Sequence, residues 1–483
     1  MQTNSDHRRM FKICLFIISM MSIQLYGSEP LPAPQPDLYQ ERYRPQFHFT
    51  ARQWTAKKLN PGMREDGWLN DINGLIFYDG EYHAFAQRWN KCWIHAVSRD
   101  LLHWTELPPA FWEDKQFGGV QSGSAVIDKT NLSGLATSEN NPVMVAFWSS
   151  TDAKSQCISY SNDKGRTWTK YDKNPVLLHA DRDPKVFWYE PEKKWVMVLF
   201  GPPGGYLFFS SKDLKVWQQT SFLAGYFECP DMFELPIDGD KKQTKWVVMN
   251  GNGQYTVGSF DGSTFKPETP KRLVCGGPNY YATQTWNNME DADGRRIQLA
   301  WMQGGKYPDM PFNQQMTFPC ELTLRSHAGT LQVYRKPIAE IDKLTRATHS
   351  IPGRTLAAGE ELKLEGGELL RIKAVIELSD NTDATLHLRG ENISFSNERI
   401  ALRDREAKLS AESGKHPRLE TLEILLDRTS IEVFGNDGEV NLAGCFLPAC
   451  DCLSLHCYRG EVKLKLLEID ELDSIWKDIP KNQ

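Results

Sequence analysis

Four copies of one turn constrain this chain more than any other feature. Ser98-Arg99-Asp100 leads to Trp104, and Ser161-Asn162-Asp163-Lys164-Gly165-Arg166-Thr167 leads to Trp168. Ser211-Lys212-Asp213 leads to Trp217, and Ser259-Phe260-Asp261-Gly262 leads to Phe265. The four Asp positions are 63, 50 and 48 residues apart. A repeat of that length, carried by short β-type runs with little helical periodicity, points to propeller blades. The unit is plainest at residues 74–87 (GLIFYDGEYHAFAQ), where two apolar, aromatic-rich runs flank the hairpin dipeptide Asp79-Gly80. Counting back symmetrically from that turn sets Gln87 across from Ile72, and Asp71 across from Arg88.

A second series of positions falls between the turns. Strand starts lie near Asp71, Ser124, Asp183, Glu228 and Tyr281, each followed by apolar strand material. Five starts imply a five-bladed β-propeller over residues 46–345. The innermost strand of every blade runs beside the central axis, so the first residues of those strands meet at one mouth of the channel. Asp71, Asp183 and Glu228 are expected to meet there.

Beyond about residue 345 the texture changes. Residues 422–434 (LEILLDRTSIEVF) alternate around a turn at Asp427-Arg428, and a second turn follows at Asn436-Asp437-Gly438. Residues 346–483 read as a C-terminal antiparallel β-sandwich that ends in a short helix within 465–477. The fold class is therefore all-β, and 483 residues leave room for both domains. At the other end, His7, Arg8, Arg9 and Lys12 precede a short apolar run, Ile13 to Ile23, below the ~20 residues a bilayer span needs. Basic then apolar is an export-signal pattern. Residues 1–27 are expected to be a removed signal peptide and 28–45 a Pro-rich linker. The mature protein would then be secreted or periplasmic, free of the membrane. A formal net charge of −6 carries no electrostatic claim on nucleic acid. Among the 10 Cys, Cys445, Cys450, Cys452 and Cys457 cluster near the end. Their spacing is open to a metal site, to a disulfide and, foremost, to buried thiols.

Three acids sit in unusual settings. Asp71 lies between two Asn in Asn70-Asp71-Ile72-Asn73, just ahead of a strand. Asp183 follows Arg182 and precedes Pro184. Glu228 opens Glu228-Cys229-Pro230 ahead of an apolar run. Singly, such residues serve turns and caps. Together at one mouth they raise like-charge energy, which points to use rather than accident. Acid–base work by paired carboxyls needs one ionised and one protonated group at the same pH. Asn donors and Gln87 would keep Asp71 charged, while Glu228, facing two carboxylates, would be pushed up. Asn70, Gln87, Trp93, Ser124, Tyr281 and Trp301 offer polar edges and ring faces to line that mouth. His83 alternates with core residues and reads as structural.

This set of residues resembles the glycoside hydrolase family 32 β-fructosidases: invertases, inulinases and levanases. WLNDINGL (68–75) is similar to that family's nucleophile motif. SGSAV (122–126), RDPK (182–185), ECP (228–230), YYATQTW (280–286) and AWM (300–302) match later motifs in order. DRTSIEVFGNDGE (427–439) looks like the signature of the family's appended sandwich. The resemblance implies a propeller plus a sandwich, in agreement with the blade count. It also implies Asp71 as nucleophile, Glu228 as acid/base, and Asp183, held by Arg182, as transition-state stabiliser. It implies a fructan or sucrose substrate and no metal or organic cofactor. Ile72 stands where the family usually has Pro, Gln87-Arg88-Trp89-Asn90 replaces a tyrosine-bearing stretch, and Gln121 replaces an aromatic residue. These departures lie near the pocket rim and bear on leaving-group preference. A transfructosylase would share the covalent step and differ in acceptor. A catalytically dead fructan-binding protein would lack an acid, and all three acids are present.

Overall fold

Each repeated turn closes the outer edge of a four-stranded antiparallel sheet. The computed structural model describes residues 39–52, 67–138, 141–152, 155–179, 181–327, 329–411 and 416–476. Its first blade is Ile72–Tyr78, Glu81–Arg88, Cys92–Ser98 and Trp104–Leu107. The second is Val120–Asp128, Val143–Ser150, Ser155–Ser161 and Thr169–Lys170, and the third Arg182–Tyr189, Lys194–Gly201, Gly205–Ser211 and Gln218–Ala224. The fourth (Asp231–Ile237, Asp240–Met249, Gln254–Phe260, Phe265–Pro267) meets the fifth (Tyr281–Thr285, Arg296–Trp301, Cys320–His327, Thr330–Pro337) at Ile237 and Leu324. Five blades are present, and the first strand of each is the innermost.

The turn chemistry explains the repeat. Asp100 accepts the amides of Leu102 and His103, and Asp163 that of Thr167. Asp213 accepts those of Lys215 and Val216, and Asp261 those of Ser263 and Thr264. Each carboxylate thus satisfies the backbone donors of the turn into the fourth strand. The hairpin at Asp79-Gly80 has positive φ at both residues, 49° and 81°, as the tight two-residue turn requires.

The register behind that hairpin differs from the symmetric count. Ile76 pairs with His83, but Ile72 pairs with Ala86 rather than Gln87. The slip occurs between Asn73 and Ile76, where Gly74 adopts φ +55°. A Cβ at Gly74 would lie 2.9 Å from the Phe85 ring, so both the conformation and the approach call for glycine. The one-residue bulge brings Gln87 across from Asp71, whose carbonyl accepts the Gln87 amide at 2.9 Å.

The inner strands are tied together by side chains. Ser124 donates to the Pro184 carbonyl and accepts the Val186 amide, joining blades 2 and 3. Asn287 donates to the carbonyls of Ala125 and Val186, and Gln284 bonds Leu75 and Gly123. Lys185 pairs with Asp231 at 2.8 Å, both fully buried, and Asp231 also accepts the Thr285 amide. Blade 5 closes on blade 1 through reciprocal backbone bonds of Asn287 with Leu75 and Phe77. This lacing fixes the strand ends at or just ahead of which the acids stand.

Two antiparallel sheets follow the propeller. One has seven strands, in the order Thr345–Ile351, Glu461–Leu472, Leu370–Leu378, Thr421–Leu426, Ser430–Gly435, Val440–Cys445, with Arg354–Ala357 also paired to Glu461–Leu472. The other has six, from Glu361–Lys363 to Arg405–Lys408. Leu, Ile and Val from both sheets form one core between them. The short helix expected at the end is instead the long strand Glu461–Leu472, whose alternating apolar residues pair with neighbours on both sides.

The alternating stretch around Asp427 serves the junction between the two regions. His48 Nδ1 lies 2.8 Å from Asp427 Oδ2 and its Nε2 3.0 Å from Glu432 Oε1. Asp427 also accepts the amides of Gln46, Phe47 and His48, and Glu432 takes the Phe318 amide and Arg335. Burial alone would lower His48, but its two carboxylate partners lift it to about 9. Burial would raise Asp427 and Glu432, but His48, with the amides on Asp427 and Arg335 beside Glu432, holds both below the usual range.

The stretch expected to be the signal peptide lies outside the described residues, as does most of the proline-rich segment. Of the latter, Tyr39 is buried and stacks on Trp476 at 4.1 Å, and Arg44 is fully buried. Among the described residues no helix is long and apolar enough to cross a membrane. Cys450 and Cys452 form a disulfide, while Cys445 and Cys457 are buried thiols. His83 is buried against His95, and burial, with the Arg166 charge, pushes it down to about 3.

Candidate active site

Asp71, Asp183 and Glu228 stand at or just ahead of the inner strands of blades 1, 3 and 4, and they converge. Asp183 raises the Asp71 carboxyl electrostatically, and Tyr281 feels both Asp71 and Asp183 while bonding Glu228.

Asp71 is held by a chain of donors. Asn70 Nδ2 donates to Gln87 Oε1 at 2.7 Å, Gln87 Nε2 donates to Ser122 Oγ at 3.0 Å, and Ser122 Oγ donates to Asp71 Oδ2 at 2.6 Å. The flanking Asn residues do not bond this carboxylate themselves. Asn70 points to Gln87, and Asn73 Oδ1 accepts the Gly123 amide. The Asp71 carboxyl therefore departs from the expectation of a low value. Burial, and then the Asp183 charge, push it up to about 6, against the Ser122 hydrogen bond and Arg182.

Asp183 adopts φ +67°, a conformation that Asp tolerates better than most residues. Its amide donates to Ser149 Oγ, and its Oδ2 accepts the Cys229 amide at 3.0 Å. Burial raises this carboxyl despite that bond. Turned inward, it lies 3.9 Å from Arg182 Nε, and Arg182 instead pairs closely with Glu228 Oε1. Glu228 Oε2 accepts the Tyr281 hydroxyl at 2.6 Å. Glu228 thus faces a cation and a phenol rather than two bare carboxylates. Its carbonyl accepts the Gly251 amide at 2.9 Å, which fixes the backbone ahead of blade 4.

Two expected lining residues are elsewhere. Trp93 is 0% exposed; its ring packs between Phe85 and Phe111, and its N–H donates to the Gln121 carbonyl. Ser124 is spent on the blade 2–blade 3 tie. The serine that reaches Asp71 is Ser122, on a strand that begins at Val120, four residues before the start read from the sequence. The Gly118-Gly119 pair just ahead of it was the available signal. Tyr281 and Trp301 are paired in register, with ring centroids 6.4 Å apart, and the Trp301 N–H has no partner among the described residues. The Cys229 amide and Ser149 carry no sequence signal, since a backbone donor or a residue on a neighbouring strand leaves no mark in sequence. Among the described residues no group of three or more His, Cys, Asp or Glu is arranged to hold a metal ion.

Comparison with known proteins gives the same picture. The model of the glycosyl hydrolases family 32 N-terminal domain matches residues 63–337, and that of the family 32 C terminal matches residues 347–471. A levanase of Bacillus subtilis is 36% identical, over 98% of this chain and 76% of its own. An extracellular exo-inulinase of Aspergillus niger is 28% identical, over 91% of this chain and 96% of its own. The crystal structure of exo-inulinase from Aspergillus awamori superposes with a TM-score of 0.77 at 26% identity, over 91% of this chain and 100% of that one. With both family models matched in order on a five-bladed propeller and a β-sandwich, this chain belongs to glycosyl hydrolase family 32 and is a β-fructofuranosidase.

Proposed function

We propose that this enzyme removes terminal β-D-fructofuranosyl units from fructans (levan, inulin) or sucrose by double displacement, with retention. The observation that carries this reading is the pair of differently dressed carboxyls in one mouth. Asp71 rests on a hydroxyl donor chain, and Glu228 on Tyr281 and Arg182. Asp71 attacks the anomeric carbon, and the electrons of the glycosidic bond pass to the leaving oxygen, which takes a proton from Glu228. Water then gives a proton to Glu228 and attacks the same carbon, which frees Asp71. Asp183 stabilises the oxocarbenium-like transition state as a negative charge held by the Cys229 amide. Asn70, Gln87, Arg182, Tyr281 and Trp301 shape the fructosyl pocket. The scheme uses no metal or organic cofactor.

The levanase and exo-inulinase names of the relatives support a fructan substrate. A mouth walled by Tyr281 and Trp301 suits one terminal sugar, so early products should be free fructose. The basic-then-apolar N-terminus and the extracellular relative support export. An NMR time course on sucrose, inulin and levan tests the whole reading. Fructose should appear first as the anomer matching the substrate, and initial inversion or early oligosaccharides would refute it.

A further inference from the structure

Phe227 directly precedes Glu228 in the chain, and its side chain is half in water. It is 54% exposed, although its backbone is pinned. The buried Tyr206 hydroxyl donates to the Phe227 carbonyl at 2.8 Å, and Gly251 holds the next carbonyl. The ring meets Phe200 edge to face, with centroids 5.3 Å apart and an interplanar angle of 66°. Phe200 in turn pairs directly with Arg182 across the sheet, and Arg182 contacts Glu228. Phe200 thus links the Phe227 ring to the strand pair that carries the Arg182–Glu228 contact. Scattered exposed apolar side chains need no explanation, but this one is anchored, backed by a second ring, and adjacent to the group that must touch the leaving oxygen.

We infer that Phe227, braced by Phe200, is the stacking wall for the leaving-group sugar, the ring on the far side of the scissile bond from the fructosyl unit. The inference rests on the fructosidase reading above. A proton donor contacts the leaving oxygen, so the leaving sugar must lie against Glu228 and its neighbours. One face of a pyranose or furanose ring is lined with C–H groups, and a flat aromatic surface removes that face from water without demanding particular hydroxyls. Such a wall accepts glucose from sucrose or a fructosyl unit from a fructan, while Asp71 and Asp183 read only the fructosyl ring. Water needs no wall, so the second step does not depend on it.

The test compares wild type, Phe227→Ala and Phe227→Tyr on sucrose and on a fructan trisaccharide, with inhibition by free fructose as control. Fructose fills only the fructosyl pocket. Phe227→Ala should raise KM for both substrates by about tenfold, the effect of losing one stacked ring. Its Ki for fructose and its melting temperature should stay at the wild-type values, and Phe227→Tyr should restore KM. An unchanged KM overturns the inference. So does a parallel rise of KM and the fructose Ki, which would assign the ring to the fructosyl pocket itself. If the wild type releases no fructose from any substrate, the underlying reading fails, and that outcome is visible before any variant is compared.

Discussion

The Ser122 hydroxyl donates to Asp71 Oδ2 at 2.6 Å while accepting a hydrogen bond from Gln87. The donor comes from blade 2 and the acid from blade 1, so the contact exists only once the two inner strands lie side by side. It opposes the burial that otherwise favours the protonated acid.

Ser122→Ala removes that opposition. The wild-type acidic limb of kcat/KM should lie near pH 6, where Asp71 gains its proton. A hydrogen bond to the ionised form lowers a carboxyl, so its loss must move the limb to higher pH. The rate at the optimum should fall about tenfold, the scale of one charge-assisted hydrogen bond. A limb that stays in place would show that the serine does not control the acid.

Asp183→Asn should move the same limb in the opposite direction. The Asp183 charge is the second cause of the raised Asp71 carboxyl, and an amide lacks it. The acidic limb should shift down, while kcat falls through weaker stabilisation of positive charge in the transition state. Full pH–rate profiles of both variants, measured together, check the two signs.

Asp71→Asn and Glu228→Gln should differ in their response to the leaving group. The amide at position 71 is no nucleophile, so turnover should drop by ~10³-fold or more on every substrate. Glu228→Gln should be far milder on an aryl fructoside than on sucrose, because a good leaving group needs little protonation. Equal losses on both substrates would remove Glu228 from the acid role.

The His48 cluster makes stability depend on pH from both sides. His48 is raised to about 9 in the folded protein, above an unfolded value near 6.5. Its contribution is complete below about pH 6.5 and is lost as pH rises through 9. Asp427 and Glu432 are depressed, so their contribution is complete above about pH 4.5 and is lost as pH falls through their folded values. Thermal stability should plateau between those limits. His48→Ala leaves two buried carboxylates facing each other's region without their shared cation, at a cost of about 3–5 kcal/mol. Melting curves between pH 4 and pH 10 would reveal it, and a flat profile would contradict it.

Trp93→Ala separates packing from binding. Truncating this buried ring should cost about 3–5 kcal/mol of stability. Assayed well below its lowered melting temperature, the variant should keep the wild-type KM. A large KM increase with no stability change would return Trp93 to the pocket.

Local chemistry was legible in the chain itself. The Asp turns, the Asp79-Gly80 hairpin and the strand alternation are interactions between residues close in sequence, so they set the blades and their number. The three acids were legible because each lies at or just ahead of the start of an inner strand, and propeller geometry brings those positions together. What the tertiary structure decided lies between segments. The Gly74 bulge shifted Gln87 by one residue, which no symmetric count detects. Ser122 rather than Ser124 faces Asp71, and Arg182 turned from Asp183 to Glu228 once the Cys229 amide had taken the Asp183 carboxylate. Trp93 left the pocket for the core, and Glu461–Leu472 became a strand because partners remote in sequence waited on both sides. Propensity and spacing act over a few residues. Hydrogen-bond partners and burial are assigned only when distant strands meet, and in this enzyme that assignment determines which neighbour tunes each acid.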